Sequence, residues 1–103
     1  MAYSIRVSED AHGDADAIAG YIAGHLKNPS AAVSFLDDVD ESYARLRENP
    51  FICPQCRDLR LAEMGVRFVA IKNYLILFRI DQENGIVYIL RIVYSGRNYA
   101  ELF

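Results

Sequence analysis

Cys53-Pro54-Gln55-Cys56 is the first place in this 103-residue chain where residue types and spacing could do chemistry. A Cys-x-x-Cys pair at a helix N-terminus lowers a thiol pKa and makes a redox dithiol. The segment ahead of it, Asn49-Pro50-Phe51-Ile52, does not read as a thioredoxin-type strand, and the residues after it read as strand, not helix. A structural zinc ion would need two further ligands, and His12 and His25 lie far away in sequence. The pair therefore reads as loop thiols, paired or free, and neither a metal nor another cofactor is expected. The second place is a set of arginines. Residues 57–103 carry 7 basic and 5 acidic side chains, whereas residues 1–56 carry 4 and 9. A planar guanidinium can hold two phosphate oxygens at once. The second half could thus present a local positive face on a molecule of net charge −3, the wrong overall sign for binding nucleic acid over its whole surface. The same split also arises if solvated helices gather the acids while strands carry the arginines.

The elements that must hold these residues follow from periodicity. Residues 3–7 alternate and are β-rich, a short first strand. Ser8-Glu9-Asp10 supplies caps and early acids for a helix over about residues 10–26, in which Ala15, Ile18, Ala19, Ile22 and Leu26 recur at helical spacing. Lys27-Asn28-Pro29 stops it, and Ser30 is placed to cap a second helix. There Val33, Leu36, Val39, Tyr43 and Leu46, with Phe35 beside them, form an apolar stripe. Asp37, Asp38, Asp40 and Glu41 cover the other side as a solvated face, and Asn49-Pro50 ends the helix near residue 48. With only about three residues between them, the helices should fold back as an antiparallel hairpin.

After the cysteines the period becomes strand-like. Arg57–Leu61 reads as a short strand, Val66–Ile71 as a clearer one, and Tyr74–Ile80 and Ile86–Tyr94 as the strongest. Lys72-Asn73 and Asp81–Gly85 sit where hairpin turns belong, and residues 95–103 read as a turn and one helical turn. Alternation groups Arg79 with Leu75, Leu77 and Asp81, and Arg91 with Val87, Ile89 and Val93. The expected fold is a single α+β domain over residues 1–103. An antiparallel sheet of about four strands carries the N-terminal helical hairpin on one face and leaves the other face open. No apolar run approaches the ~20 residues that span a bilayer, and the first residues show no secretory signal. A cytoplasmic protein without a membrane partner is expected.

That order of elements, with four stretches of sequence, resembles the RelE/ParE superfamily of type II toxins. The stretches are Asp16–Ile22 in the first helix, the Asn49-Pro50 helix end, Arg67 opening a strand before Asn73–Ile80, and Ile89–Asn98 at the C-terminal side. The resemblance implies a toxin held by a cognate antitoxin, and two possible targets. RelE-like members cut mRNA in the ribosomal A site, using basic and tyrosine side chains. ParE-like members share the fold but act on DNA gyrase and cleave no RNA.

Cleavage of RNA by its own 2′-hydroxyl needs a base, an acid and fixed positive charge at the phosphate. Under the resemblance Arg67 falls at the family's phosphate-binding arginine, and Arg60 near an upstream basic position. Arg91 and Tyr94 match an arginine and the terminal tyrosine three residues on, while Arg97 resembles a C-terminal arginine of another branch. Catalysis would thus fall to Arg67, Arg91 and Tyr94, and RNA or phosphate binding to Arg60 and Arg97. Departures oppose this. Val93 stands where one nucleolytic branch has histidine, Arg57 and Asp58 stand near its catalytic glutamate, and neither histidine is in the sheet half. Arg91 has a plainer reading too, as the ion-pair partner of a helix acid. Arg60, Arg67, Arg91 and Tyr94 together favour ribosome-dependent mRNA cleavage, an endoribonuclease activity. Gyrase inhibition is the alternative, and an inactive member that only binds its antitoxin is the third reading.

Overall fold

In the computed structural model, which describes residues 2–103, four strands form one sheet. They are β1 (Ser4–Val7), β2 (Val66–Ile71), β3 (Tyr74–Asp81) and β4 (Ile86–Tyr94), in the order β1-β4-β3-β2. The last three make the expected antiparallel meander. Its turns fall where the sequence placed them: Gly85 has φ +67° before β4, the freedom expected of Asn84-Gly85, whereas Lys72 takes φ +51° in the two-residue link between β2 and β3 despite its β-carbon. The first strand departs from expectation, because β1 runs parallel to β4, with Ser4 opposite Ile86 and Val7 opposite Ile89. A short turn fixes strand direction only between chain neighbours. No such turn joins β1 to β4, whose direction is instead set by the two helices between β1 and the meander.

The helical hairpin is α1 (Glu9–Gly20), extended by a π-type turn at Tyr21–His25, and α2 (Pro29–Glu48). Ser8 caps α1, accepting the Ala11 amide at 3.0 Å while its hydroxyl donates to the Leu90 carbonyl at 2.8 Å. Asn28 rather than Ser30 caps α2, accepting the Ala31 amide at 3.1 Å, and leaves Pro29 at the first helical position where its missing N–H costs nothing. The buried stripe of α2 is Ala32, Phe35, Val39, Ser42 and Leu46. Val33 and Leu36, expected in that stripe, are 59% and 40% exposed. Phe35 decides the rotation by inserting edge-on against Tyr74, ring centres 5.3 Å apart. Ser42 tolerates burial because its hydroxyl accepts from Arg45.

Two apolar clusters lie on opposite faces of the sheet. Phe35, Ile76, Phe78, Val87, Ile89 and Ile92 fill the space under the hairpin. Cys56, Leu61, Val66, Leu77 and Val93 form the other, with Tyr99, Leu102 and Phe103 packed on it. The face expected to be open is therefore covered by the chain's own C-terminal turn, Tyr99–Leu102, and by α3 (Leu59–Glu63). That short helix replaces the strand expected over Arg57–Leu61. Leu59 and Leu61 mimic strand alternation, yet Leu61 is buried and Leu59 exposed, and the Asp58 carboxylate caps the turn by accepting the Leu61 amide at 3.0 Å. Among the described residues no helix is long and apolar enough to cross a membrane.

Candidate functional site

One extra residue in β4 organises the arginine corner. Leu77 lies opposite Arg91 but Phe78 lies opposite Ile89, so Leu90 is a bulge with no partner. Simple alternation fails there: Val87 and Ile89 face the hairpin, whereas Val93 joins the cluster on the far side, and Arg91 does not share one face with all three. Pairing with β1 stops at Ile89, so the edge of β4 beyond it has no neighbouring strand. Asp14 of α1 takes that place. Its carboxylate accepts the Ile92 amide at 2.9 Å and binds Arg91 through both guanidinium arms, Nε at 2.8 Å and Nη2 at 2.9 Å. Burial pushes the Asp14 carboxyl up, but the Arg91 and Ile92 hydrogen bonds and the charges of Arg91 and Arg97 outweigh it and hold the carboxyl below the usual range. The same bond to Asp14 raises Arg91. Asp14 is the residue the sequence did not single out; a helix acid was a foreseeable partner for Arg91, but nothing local marks which of many acids it is.

Two of the other candidates, Arg67 and Arg60, are also engaged. Arg67 donates through Nη1 to the Cys53 carbonyl at 2.6 Å, reaches the Phe51 carbonyl at 3.5 Å, and lies over the Phe51 ring at 5.3 Å. The segment it holds runs along the outer edge of β2, where the Cys56 amide donates to Val66 and the Phe68 amide to Pro54. Arg60 donates to the Ala100 carbonyl at 2.6 Å and the Phe103 carbonyl at 2.8 Å, pinning the C-terminal turn. Tyr94 is 56% exposed and meets Tyr74 edge-on, and the turn after it is tight enough that a Cβ on Gly96 would lie 2.6 Å from its ring. Arg97 is exposed, its amide donating to the Tyr94 carbonyl, and its guanidinium makes no hydrogen bond among the described residues. The structure thus groups Asp14, Arg91, Tyr94 and Arg97 at the end of β4, and it assigns Arg67 and Arg60 to two separate clasps.

Among the described residues neither histidine and neither cysteine joins them. His25 stacks on Tyr21 at 4.9 Å, and His12 lies on α1. The cysteines are free; burial pushes both thiols up, only partly offset at Cys53 by Arg67 and Arg45, so neither is poised as a thiolate. Among the described residues no third His, Cys, Asp or Glu joins them in a group able to hold a metal.

The family model for the ParE toxin of the type II toxin–antitoxin system parDE matches residues 5–99, from the first strand into the C-terminal turn. The chain belongs to the ParE toxin family. Among curated proteins none matches it by sequence. Solved structures similar to this ParE-family chain include one of the chromosomal ParDE system of P. aeruginosa, at TM-score 0.73 and 22% identity, covering 91% of this chain and 97% of that one. The toxin–antitoxin complex RelBE2 of Mycobacterium tuberculosis follows at 0.61 and 22%, covering 91% and 99%. An arginine-to-alanine double variant of the E. coli toxin RelE in the free state gives 0.62 and 12%, covering 99% and 93%. At these identities the neighbours establish a common fold, which both ParE-like and RelE-like chains share, and the activity is read from the site.

Proposed function

We propose that this ParE-family toxin arrests growth by binding a protein target, DNA gyrase, rather than by cutting RNA, and that an antitoxin holds it in check. The observation that carries the reading is the fate of the arginines. A phosphate-clamping guanidinium must be free to meet its substrate, and Arg91, Arg67 and Arg60 each commit part of their guanidinium to groups of this chain. The sheet also offers no imidazole to move a proton near neutral pH. The family match over residues 5–99 supports the same branch, and the complexes among the structural neighbours support an antitoxin partner. Exposed Tyr94 and Arg97 are what remains in favour of RNA cleavage.

Induced expression beside Tyr94→Phe tests this, with mRNA 5′ ends mapped by primer extension and DNA supercoiling assayed on purified gyrase. The expected result is growth arrest by both chains, loss of supercoiling activity and no new 5′ ends. Cleavages inside translated codons that disappear in Tyr94→Phe would overturn the reading in favour of an mRNA-cutting toxin.

A further inference from the structure

The cover on the far face of the sheet stops short of the end near the turn between β3 and β4. There Ile5 and Val7 of β1, Val87 and Ile89 of β4, and Phe78 and Ile80 of β3 pack under the hairpin. Alternation therefore turns Arg6, Tyr88 and Arg79 to the far face. Register sets them side by side, Arg6 opposite Tyr88 and Tyr88 opposite Arg79. Arg6 joins this row because β1 pairs with β4 at all, beyond the reach of any hairpin turn. Both arginines are exposed, and the tyrosine between them is half-buried. Two strand spacings separate the arginine backbones, roughly 10 Å. The Arg79 guanidinium lies over the Tyr88 ring at 5.8 Å, and its stem passes Gly65, where a Cβ would meet Arg79 Cγ at 3.7 Å.

No acid of the chain answers these charges. Arg45, Arg60, Arg67 and Arg91 each donate to a group of this chain. Among the described residues the guanidiniums of Arg6 and Arg79 have neither an ion pair nor a hydrogen bond. Asp81, two residues on from Arg79 on the same face, gives both carboxylate oxygens to Asn84, at 3.1 and 2.8 Å. Arg79 therefore acts on it through charge and not through a bond. Two unengaged guanidinium forks on adjoining strands, with a ring between them, make a surface that recognises carboxylate or phosphate. Nucleic acid draws its affinity from many phosphate contacts. This row offers two cations, and a strand of phosphates continuing past it would run onto Asp81. A second copy apposed through the same face would set arginine against arginine. An acidic polypeptide segment suits the row, with two carboxylates for the arginines and an apolar side chain for the exposed part of Tyr88.

We propose that the Arg6–Tyr88–Arg79 row docks an acidic segment of the protein that this toxin acts on. The proposal rests on the reading of a polypeptide target given above. It puts target recognition on the sheet face opposite the helical hairpin, on residues separate from the Asp14–Arg91 corner.

The test titrates the full chain into two fluorescein-labelled probes of equal charge, poly-L-glutamate and oligothymidylate, with affinity read by anisotropy across a salt series. The same proteins are assayed for inhibition of supercoiling by purified gyrase. Arg6→Glu/Arg79→Glu is compared with Lys27→Glu/Arg47→Glu, an equal change of charge on the hairpin. All four positions are exposed, so circular dichroism should be unchanged. The unmodified chain should bind polyglutamate more tightly than oligothymidylate. The row variant should lose about tenfold or more of that affinity at low salt, the loss shrinking as salt rises, with the hairpin variant near wild type. Inhibition of gyrase should fall in the row variant alone. Polyglutamate binding that is absent, unchanged in the row variant or equally reduced in both variants would overturn the proposal. So would tighter binding of oligothymidylate through the same arginines, or a row variant that inhibits gyrase as well as the unmodified chain. If the unmodified chain leaves gyrase active, gyrase falls as the target, while the polyglutamate comparison still decides whether the row takes an acidic segment.

Discussion

Asp14 shows how one side chain can settle what several arginines do. Its carboxylate is mostly buried and serves three donors, so removing it leaves the Arg91 charge and the Ile92 amide short of a partner. Asp14→Ala should cost about 2–3 kcal/mol, between a lost charged hydrogen bond and a broken buried pair, read as a lower urea midpoint. The pH dependence has a definite sign. A carboxyl held below its ordinary 3.8 in the folded state contributes fully above that value and loses its contribution as pH falls through the folded pKa. The stability gap between the native chain and Asp14→Asn should therefore be widest near neutral pH and close in acid below 3.8. A gap constant with pH would assign Asp14 a packing role alone. At this scale the sequence is only half legible. Arg91 could be read as either a phosphate ligand or an ion-pair partner, and 77 residues separate it from the acid that decides.

At the scale of elements, features written into adjacent residues were legible and those set at long range were not. The Ser8 cap, the Lys72-Asn73 and Asn84-Gly85 turns and the three meander strands rest on contacts within a few positions. The parallel β1, the Leu90 bulge and α3 depend on partners elsewhere: β1 on Ile86–Ile89, the bulge on register with β3, and α3 on burial of Leu61 against the far sheet face. Lys72 offers a test of what local chemistry still costs. Its φ of +51° is a conformation that a β-carbon disfavours, and its ion pair with Asp38 is 3.8 Å long and exposed, hence worth little. Lys72→Gly should stabilise the fold by about 0.5–1 kcal/mol, because the strain relieved exceeds the pair lost. A fall in thermal midpoint would show that the Asp38 contact outweighs the backbone.

The whole molecule is a sheet closed on both faces by unequal covers. The hairpin side buries a long helix and the larger cluster, while the far side relies on α3 and a C-terminal turn of four residues. Such a turn cannot hold itself, since so few internal hydrogen bonds do not offset the entropy of ordering it. Arg60 supplies the missing anchorage by bonding two of its carbonyls, at Ala100 and Phe103, from the neighbouring helix. Arg60→Ala should therefore act locally first. Amides of residues 99–103 should lose exchange protection, with a global cost near 1 kcal/mol. Tyr99 provides an independent reading, because burial on the far cluster raises its phenol above 10.0. In the variant its ring carbon should titrate closer to that value by NMR, while Tyr43, pushed up to about 12 under the hairpin, stays put. If Tyr99 keeps its raised pKa when Arg60 is gone, apolar packing of Leu102 and Phe103 holds the cover on its own. The guanidinium would then be available for other work, and the case against Arg60 as a phosphate ligand would lose its footing.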